Sequence, residues 1–401
     1  MRNWRIVAAG CISLLALAGP VRAAENAPGV SDGEIKIGQT QPYSGFGAAF
    51  GAIGKAEAAY FKLINDAGGI NGRKVTLVSL DDAFDADKTL ELTKQLVEQQ
   101  KVAAIFSVQG AKNNLAIRDY LNKGQVPQLF IVTGADIAAD YRKFPWTIGG
   151  APLYRIEAQI YGRRLLVDMP NAKIAVLYQN DDFGKSYPTG LHQVFGADYD
   201  KHIVKEASYE TSDASVEKQL AALKESGADA LITAATPRVA TQTISRIFDM
   251  GWHPVHFMTF TAISVPSVLQ PAGLEKAKGL ITAISYMDPE DPRWTEDGSL
   301  KPYNDFFAKY LAGEDHSNSY YLTGYVLAQA MVETLKQCGT DLSRENIMRN
   351  AANLREFHPV GLLPGVSFYT SRTKYRPIVE AALQRFDGQK WVLFGDVMAG
   401  Q

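Results

Sequence analysis

Residues 35–80 read IKIGQTQPYSGFGAAFGAIGKAEAAYFKLINDAGGINGRKVTLVSL. Ile35-Lys36-Ile37-Gly38 has the look of a strand. Gly54 to Asp66 reads as a helix, with Gly68-Gly69 in the position where helices end on left-handed backbone. Asn71-Gly72 signals a tight turn, and Val75 to Leu80 is the next strand. A strand, a helix of about ten or more residues and a second strand make a parallel βαβ unit. Its crossover is expected to be right-handed. The pattern continues with a helix over Ala86 to Gln100, a strand over Val102 to Phe106, a helix over Asn113 to Lys123 and a strand over Val126 to Val132.

A break follows. Phe144-Pro145-Trp146-Thr147-Ile148-Gly149-Gly150 fits neither period. The alternation then restarts with a helix from Pro152 to Asp168, a strand at Ile174 to Tyr178, a helix at Tyr187 to Phe195 and a strand at His202 to Glu206. A helix at Ala214 to Ser226, a strand at Ala230 to Thr233, a helix at Thr241 to Met250 and a strand at Val255 to Thr259 complete the set. Two α/β sets predict two doubly wound, parallel-sheet lobes of similar size. Tyr320 to Gln337 is the last long periodic helix. Gly361 to Phe368, Ala381 to Phe386 and Trp391 to Phe394 read as short strands, with Asp387-Gly388 as a hairpin turn.

The first residues carry a different signal. Arg2 and Arg5 precede an apolar run from Ile6 to Ala18, Gly19-Pro20 breaks it, and Val21-Arg22-Ala23 offers small residues for cleavage before Ala24. This is the pattern of a secretory signal, residues 1–23. A membrane anchor needs about 20 apolar residues, and acylation at Cys11 needs a longer apolar core before it. Removal of the signal leaves Cys338 as the single cysteine, so no intramolecular disulfide is expected. A formal net charge of −2 disfavours nucleic acid or an anionic membrane surface as partner. Six histidines, scattered, and no cysteine pairs give little for zinc.

In open α/β sheets, ligands sit beyond the carboxyl ends of strands. The loops there are Pro42 to Gly51, rich in glycine and aromatics, and Gln109-Gly110-Ala111-Lys112, directly before a helix whose backbone N–H groups favour anions. Thr133 to Asp136, Asp182-Phe183-Gly184, Thr236-Pro237 and Phe260-Thr261-Ala262 complete the set. Asp81, Asp82, Asp85 and Asp87 lack the ligand spacing of a calcium loop. His253 and His256 lack a third ligand, no nucleophile elbow is present, and Cys338 closes an amphipathic helix. No cofactor, metal or catalytic residue is expected.

Ile35 to Gly38, Pro42-Tyr43-Ser44-Gly45, Asn65-Asp66-Ala67-Gly68-Gly69-Ile70-Asn71-Gly72, Asp81-Asp82 and Asn180-Asp181-Asp182-Phe183-Gly184 together resemble the periplasmic branched-chain-amino-acid-binding proteins, the solute-binding subunits of ABC importers for hydrophobic amino acids and amides. The likeness spans nearly the whole mature chain. It implies the type I periplasmic-binding fold: two α/β lobes, three crossovers and a cleft that closes on ligand. The crossovers would fall near Phe144–Gly150, Ala283–Tyr286 and Pro359–Pro364. One lobe would comprise 24–147 plus 286–362, and the other 148–285 plus 363–401.

Carried over one position at a time, the resemblance puts Phe50 where the family has a cleft tryptophan. It sets Gln109, Gly110, Ala111 and Lys112 at the carboxylate loop, and Ala135 and Asp136 in the segment that carries a hydroxyl. Phe183 replaces one tyrosine, a second falls near Ala235 or Thr236, and Thr261 stands in place of the glutamate that pairs with an amino group. The loop-tying disulfide of some members would fall at Phe84 and Gln109, so it is absent. Tyr43, Phe46, Phe50, Phe84, Phe183 and Phe260 would give the cleft apolar walls. With Thr261 in the glutamate position, acids lacking an α-amino group are expected to bind best, unless Asp136 supplies the anion. The resemblance thus implies a monomeric periplasmic protein delivering a small carboxylate to a membrane permease, with a ligand-sensing receptor module as the alternative.

Overall fold

The computed structural model describes residues 26–138 and 140–400. The signal sequence, Cys11 and the cleavage point at Ala23 lie outside the described residues. The described chain forms two sheets. In the first, β1 (Glu34–Gln41), β2 (Lys74–Asp81), β3 (Ile105–Phe106), β4 (Gln128–Ile131) and β5 (Thr147–Gly149) lie in the order β2-β1-β3-β4-β5, all parallel. The second contains β6 (Ile174–Gln179), β7 (Ile203–Tyr209), β8 (Ala230–Ala234), β9 (Val255–Met258), β10 (Ile281–Ile284), β11 (Glu380–Phe386) and β12 (Trp391–Ala399). Its order is β12-β11-β10-β9-β8-β6-β7. This is the two-lobed, doubly wound arrangement expected, and the hairpin read at Asp387-Gly388 joins the second sheet. β11 pairs antiparallel with β10 and with β12, so the second sheet ends in a hairpin turned at Asp387 to Lys390.

Ala175, Val176 and Leu177 of β6 are fully buried in succession, the pattern of a strand covered on both faces by helices. Local signals set most boundaries. The Asp85 side chain caps helix Ala86–Lys94 by accepting the Lys88 N–H at 2.8 Å. Gly68 and Gly69 both take positive φ and end helix Gly51–Asp66, with the Gly69 N–H donating to the Ile64 C=O. The expected helix to Gln100 turns into a π-helical segment, Gln95–Gln99. Of the expected strand Val102–Phe106 only the last two residues form β3, although Ala103 and Ala104 also bond Lys36 and Gly38 of β1. The helix expected from Tyr187 starts at Asp182 and holds Pro188 inside it. Asp181 caps it through the Gly184 N–H. Gly361 to Phe368 forms a single bridge, Tyr286 to Leu362, and no strand.

The chain passes between the sheets three times. It leaves β5 and enters helix Tyr154–Asp168, which packs on helix Asp182–Phe195. It returns after β10, and helix Ser319–Gln337 then lies along helix Gly51–Asp66. Residues 285–287 run beside 361–363: the Leu363 N–H donates to the Ser285 C=O at 2.9 Å and the Met287 N–H to the Gly361 C=O at 2.8 Å. Residues 364–375 stay against the first lobe, where the Gly149 N–H meets the Tyr375 C=O, and β11 then completes the second sheet.

Candidate functional site

Strand order reverses between β1 and β3 in the first sheet and between β6 and β8 in the second. The loops leaving those strands therefore splay apart and open a crevice. The two crevices face each other across a cavity of about 60 Å³, room for a few waters. Phe50 and Gln109 line it from the first lobe, Phe260, Thr261 and Trp391 from the second, and Tyr286 and Asp288 from a crossing segment.

Of the residues expected at the site, Phe50, Gln109, Phe260 and Thr261 line this cavity, and Phe46 and Phe84 do not. The others are held elsewhere. The Tyr43 hydroxyl bonds Ser79 Oγ, and its backbone N–H donates to Asp81. Asp81 also takes the Ser44 and Ala83 N–H groups, so it clamps the glycine-rich loop. Gly110 and Ala111 begin helix Ala111–Lys123, but the Phe84 ring lies against Gly110 and covers that end. Lys112 reaches across to Glu210 of the second lobe at 3.7 Å, with both side chains about half exposed. Ala135 is buried. Asp136 is bound by Arg155 at 3.0 Å and Arg376 at 2.9 Å, so its charge is already neutralised. Phe183 turns away and packs on Tyr154 with ring centres 4.6 Å apart. The Thr236 N–H donates to the Tyr209 hydroxyl, which in turn meets Gln179 Oε1 at 3.1 Å. Tyr209 thus fills the space that the β6/β8 reversal would otherwise open.

The cavity wall of the second lobe rests on a buried acid. Glu157 accepts from the Tyr161 and Tyr187 hydroxyls and from the Phe260 N–H at 2.7 Å. Burial pushes its carboxyl up to about 8, while the tyrosine hydroxyls pull it back. These bonds fix the turn that carries Phe260 and Thr261. Across the cavity the Tyr320 hydroxyl donates to the Thr261 C=O at 2.8 Å, and Ser264 Oγ lies 3.0 Å from Asn318 Oδ1. Arg238 stands over the Phe46 ring at 4.6 Å. The lobes therefore touch over the cavity.

Sequence reading did not find Tyr286, Asp288, Tyr320, Gln384 and Trp391. Asp288 lies just beyond the expected second crossing, whose end was read at Tyr286. A carboxylate in a segment that crosses between lobes was the available signal. Its carboxyl accepts the Glu290 N–H at 3.0 Å and is pushed up to about 6 by burial, with Glu290 and Asp291 adding to the rise. Tyr286 Oη and Gln109 Oε1 are buried without a hydrogen-bond partner. The Trp391 indole N–H donates to the Ile263 C=O at 3.1 Å, which holds its ring at the wall. His256 is buried beside Thr233 Oγ1 at 2.9 Å, and burial lowers it to about 3, so it is a neutral core residue.

Known proteins fit this architecture. An "Amino acid binding protein" of Pseudomonas aeruginosa is 23% identical over 345 residues, 83% of this chain and 85% of that protein. A "Leu/Ile/Val-binding protein homolog 3" of Brucella melitensis is 26% identical over 201 residues, 49% of this chain and 53% of that one. Among solved structures, a substrate-binding periplasmic protein from Ralstonia solanacearum superposes with a TM-score of 0.80 at 23% identity, covering 90% of this chain and all of that one. A branched-chain amino acid ABC transporter protein from Thermus thermophilus with bound valine gives a TM-score of 0.81 at 14% identity, covering 92% and 97%. The model of the periplasmic binding protein family matches residues 34–390, and the chain belongs to that family.

Proposed function

We propose that this chain is the exported solute-binding subunit of an ABC importer. It takes a small, mostly apolar solute into the interlobe cavity, closes on it by bending at the three crossings and presents the closed form to a membrane permease. No covalent chemistry is involved. The observation that carries this reading is the cavity itself, walled by aromatic and aliphatic side chains from both lobes and bridged by Tyr320 to Thr261. A solute touching both walls binds the closed state better than the open one and so shifts the population toward it. The names of the relatives support a hydrophobic amino acid or a compound of similar body. Phe50, Gln109, Phe260 and Thr261 are the expected residues that would touch it. A carboxylate end was expected at Gly110–Lys112, residues that do not line the cavity, so the polar end is better sought in the lining itself.

A thermal-shift screen of amino acids, amides, amines and organic acids tests the reading. A ligand at about 100 times its dissociation constant adds roughly 2.7 kcal/mol to stability. Ala151→Trp, which fills the cavity, should abolish the shift. A shift that survives Ala151→Trp would move the site elsewhere. Export is tested by mass spectrometry of the secreted protein, with Ala24 expected as the first residue.

A further inference from the structure

The cavity has one charged residue on its wall. That residue is Asp288, and no Lys, Arg or His lines the cavity among the described residues. One carboxylate oxygen takes the Glu290 N–H; among the described residues no other hydrogen bond or salt bridge reaches the group, and His316, paired with Glu290, is the one cationic side chain whose field lowers its pKa. Beside it the lining offers Tyr286 Oη and Gln109 Oε1, both on residues at least nine-tenths buried and both unpartnered. A buried acceptor without a donor is costly; Gln109 Oε1 can only accept, and the Tyr286 hydroxyl can accept from an ammonium group. The rest of the wall mixes aromatic rings, those of Phe50, Tyr154, Phe260, Tyr320 and Trp391, with aliphatic side chains and a few hydroxyls. The faces of aromatic rings carry negative potential, so they attract a cation and repel an anion.

These features combine in one direction. We infer that Asp288 holds the cationic end of the ligand, and that the cavity selects a compact primary amine with an apolar body, whether or not that amine also carries a carboxylate. This deepens the proposed solute-binding reading and rests on it. The expectation drawn from Thr261, that an acid without an amino group binds best, is reversed. The anion has moved from the turn after β9 to the crossing segment after β10. Asp136 does not supply it, because two arginines already hold that carboxylate.

Isoamylamine, isocaproate and leucine share one branched apolar body and carry an ammonium group, a carboxylate and both, respectively. Calorimetry on the full mature chain should find isoamylamine binding more than about tenfold tighter than isocaproate. Asp288→Asn should weaken isoamylamine by more than about tenfold, and Asp288→Glu should restore most of the loss. Unchanged thermal melting of Asp288→Asn without ligand, or a rise, separates lost binding from lost fold. Isocaproate binding in preference to isoamylamine would overturn the cation assignment and leave the cavity as the ligand site. So would amine binding unaffected by Asp288→Asn, or no response to isoamylamine at millimolar concentration. Amine binding that persists in Ala151→Trp would overturn the cavity reading instead.

Discussion

Asp288 shows how a single side chain links stability and recognition in opposite senses. Its carboxyl is raised from 3.8 to about 6, first by burial. A raised acid is protonated more readily in the folded chain than in the unfolded one. Stability is therefore fully present below about pH 4 and falls as pH rises through about 6, by up to roughly 3 kcal/mol for a shift of this size. Asparagine does not ionise and can still accept the Glu290 N–H. Asp288→Asn is expected to stabilise the ligand-free protein by about 1–3 kcal/mol at pH 7.5 and to match the wild type at pH 4. Urea denaturation at both pH values checks this, and a variant weaker at pH 7.5 would make Asp288 a structural residue. Phe50 came from the family resemblance and not from its loop alone, since Tyr43 and Phe46 are aromatic in the same glycine-rich loop and do not line the cavity. Asp136 misled because an acid in a βα loop looks free until Arg376, 240 positions later, is brought beside it.

At the scale of elements, the close approach of two helices has a requirement of its own. Gly324 sits in helix Ser319–Gln337 where that helix lies on helix Gly51–Asp66. A Cβ there would stand 2.3 Å from the Ile53 carbonyl oxygen and 2.9 Å from the Ala56 Cβ. Alanine is the better helix former by about 1 kcal/mol, yet overpacking of this kind costs about 1–3 kcal/mol or more. Gly324→Ala should therefore lower the urea midpoint; an unchanged or raised midpoint would show that the helices slide apart freely. Period and punctuation made the main elements readable, since each parallel unit writes its own strand, helix and turn signals locally. The misread stretches depended on distant partners. Val102 to Ala104 looks like strand by composition, but within the sheet its backbone bonds only Lys36 and Gly38 of β1, and β3 forms where both β1 and β4 reach it. The start of helix Asp182–Phe195 was hidden by Pro188, which usually opens a helix and here sits within one. The cavity wall was the least readable part, because its members come from loops, a crossing and a hairpin far apart in sequence.

For the whole molecule, the proposed balance between open and closed forms would rest on the polar bonds over the cavity, since Arg155 to Asp136 joins the lobes nearer the first crossing. Tyr320 to Thr261 and Ser264 to Asn318 span the lobes. Each such bond contributes about 1 kcal/mol, a factor of roughly five in the population of the closed form. Tyr320→Phe and Ser264→Ala should each enlarge the radius of gyration of the ligand-free protein in small-angle scattering. Saturating ligand should bring both back to the wild-type value. Identical scattering curves without ligand would place the control of closure elsewhere. The lysine–glutamate pair from Lys112 to Glu210 is too exposed to set this balance. Trp391 adds something of a different kind. Its indole faces the cavity from the hairpin strand β12, tethered through its N–H to Ile263. An arriving solute replaces water against that ring, and indole emission moves to the blue as its surroundings lose water. If the cavity is the binding chamber proposed, Trp391 is a built-in reporter in its wall, and occupancy can be followed as a shift of ultraviolet emission without a label.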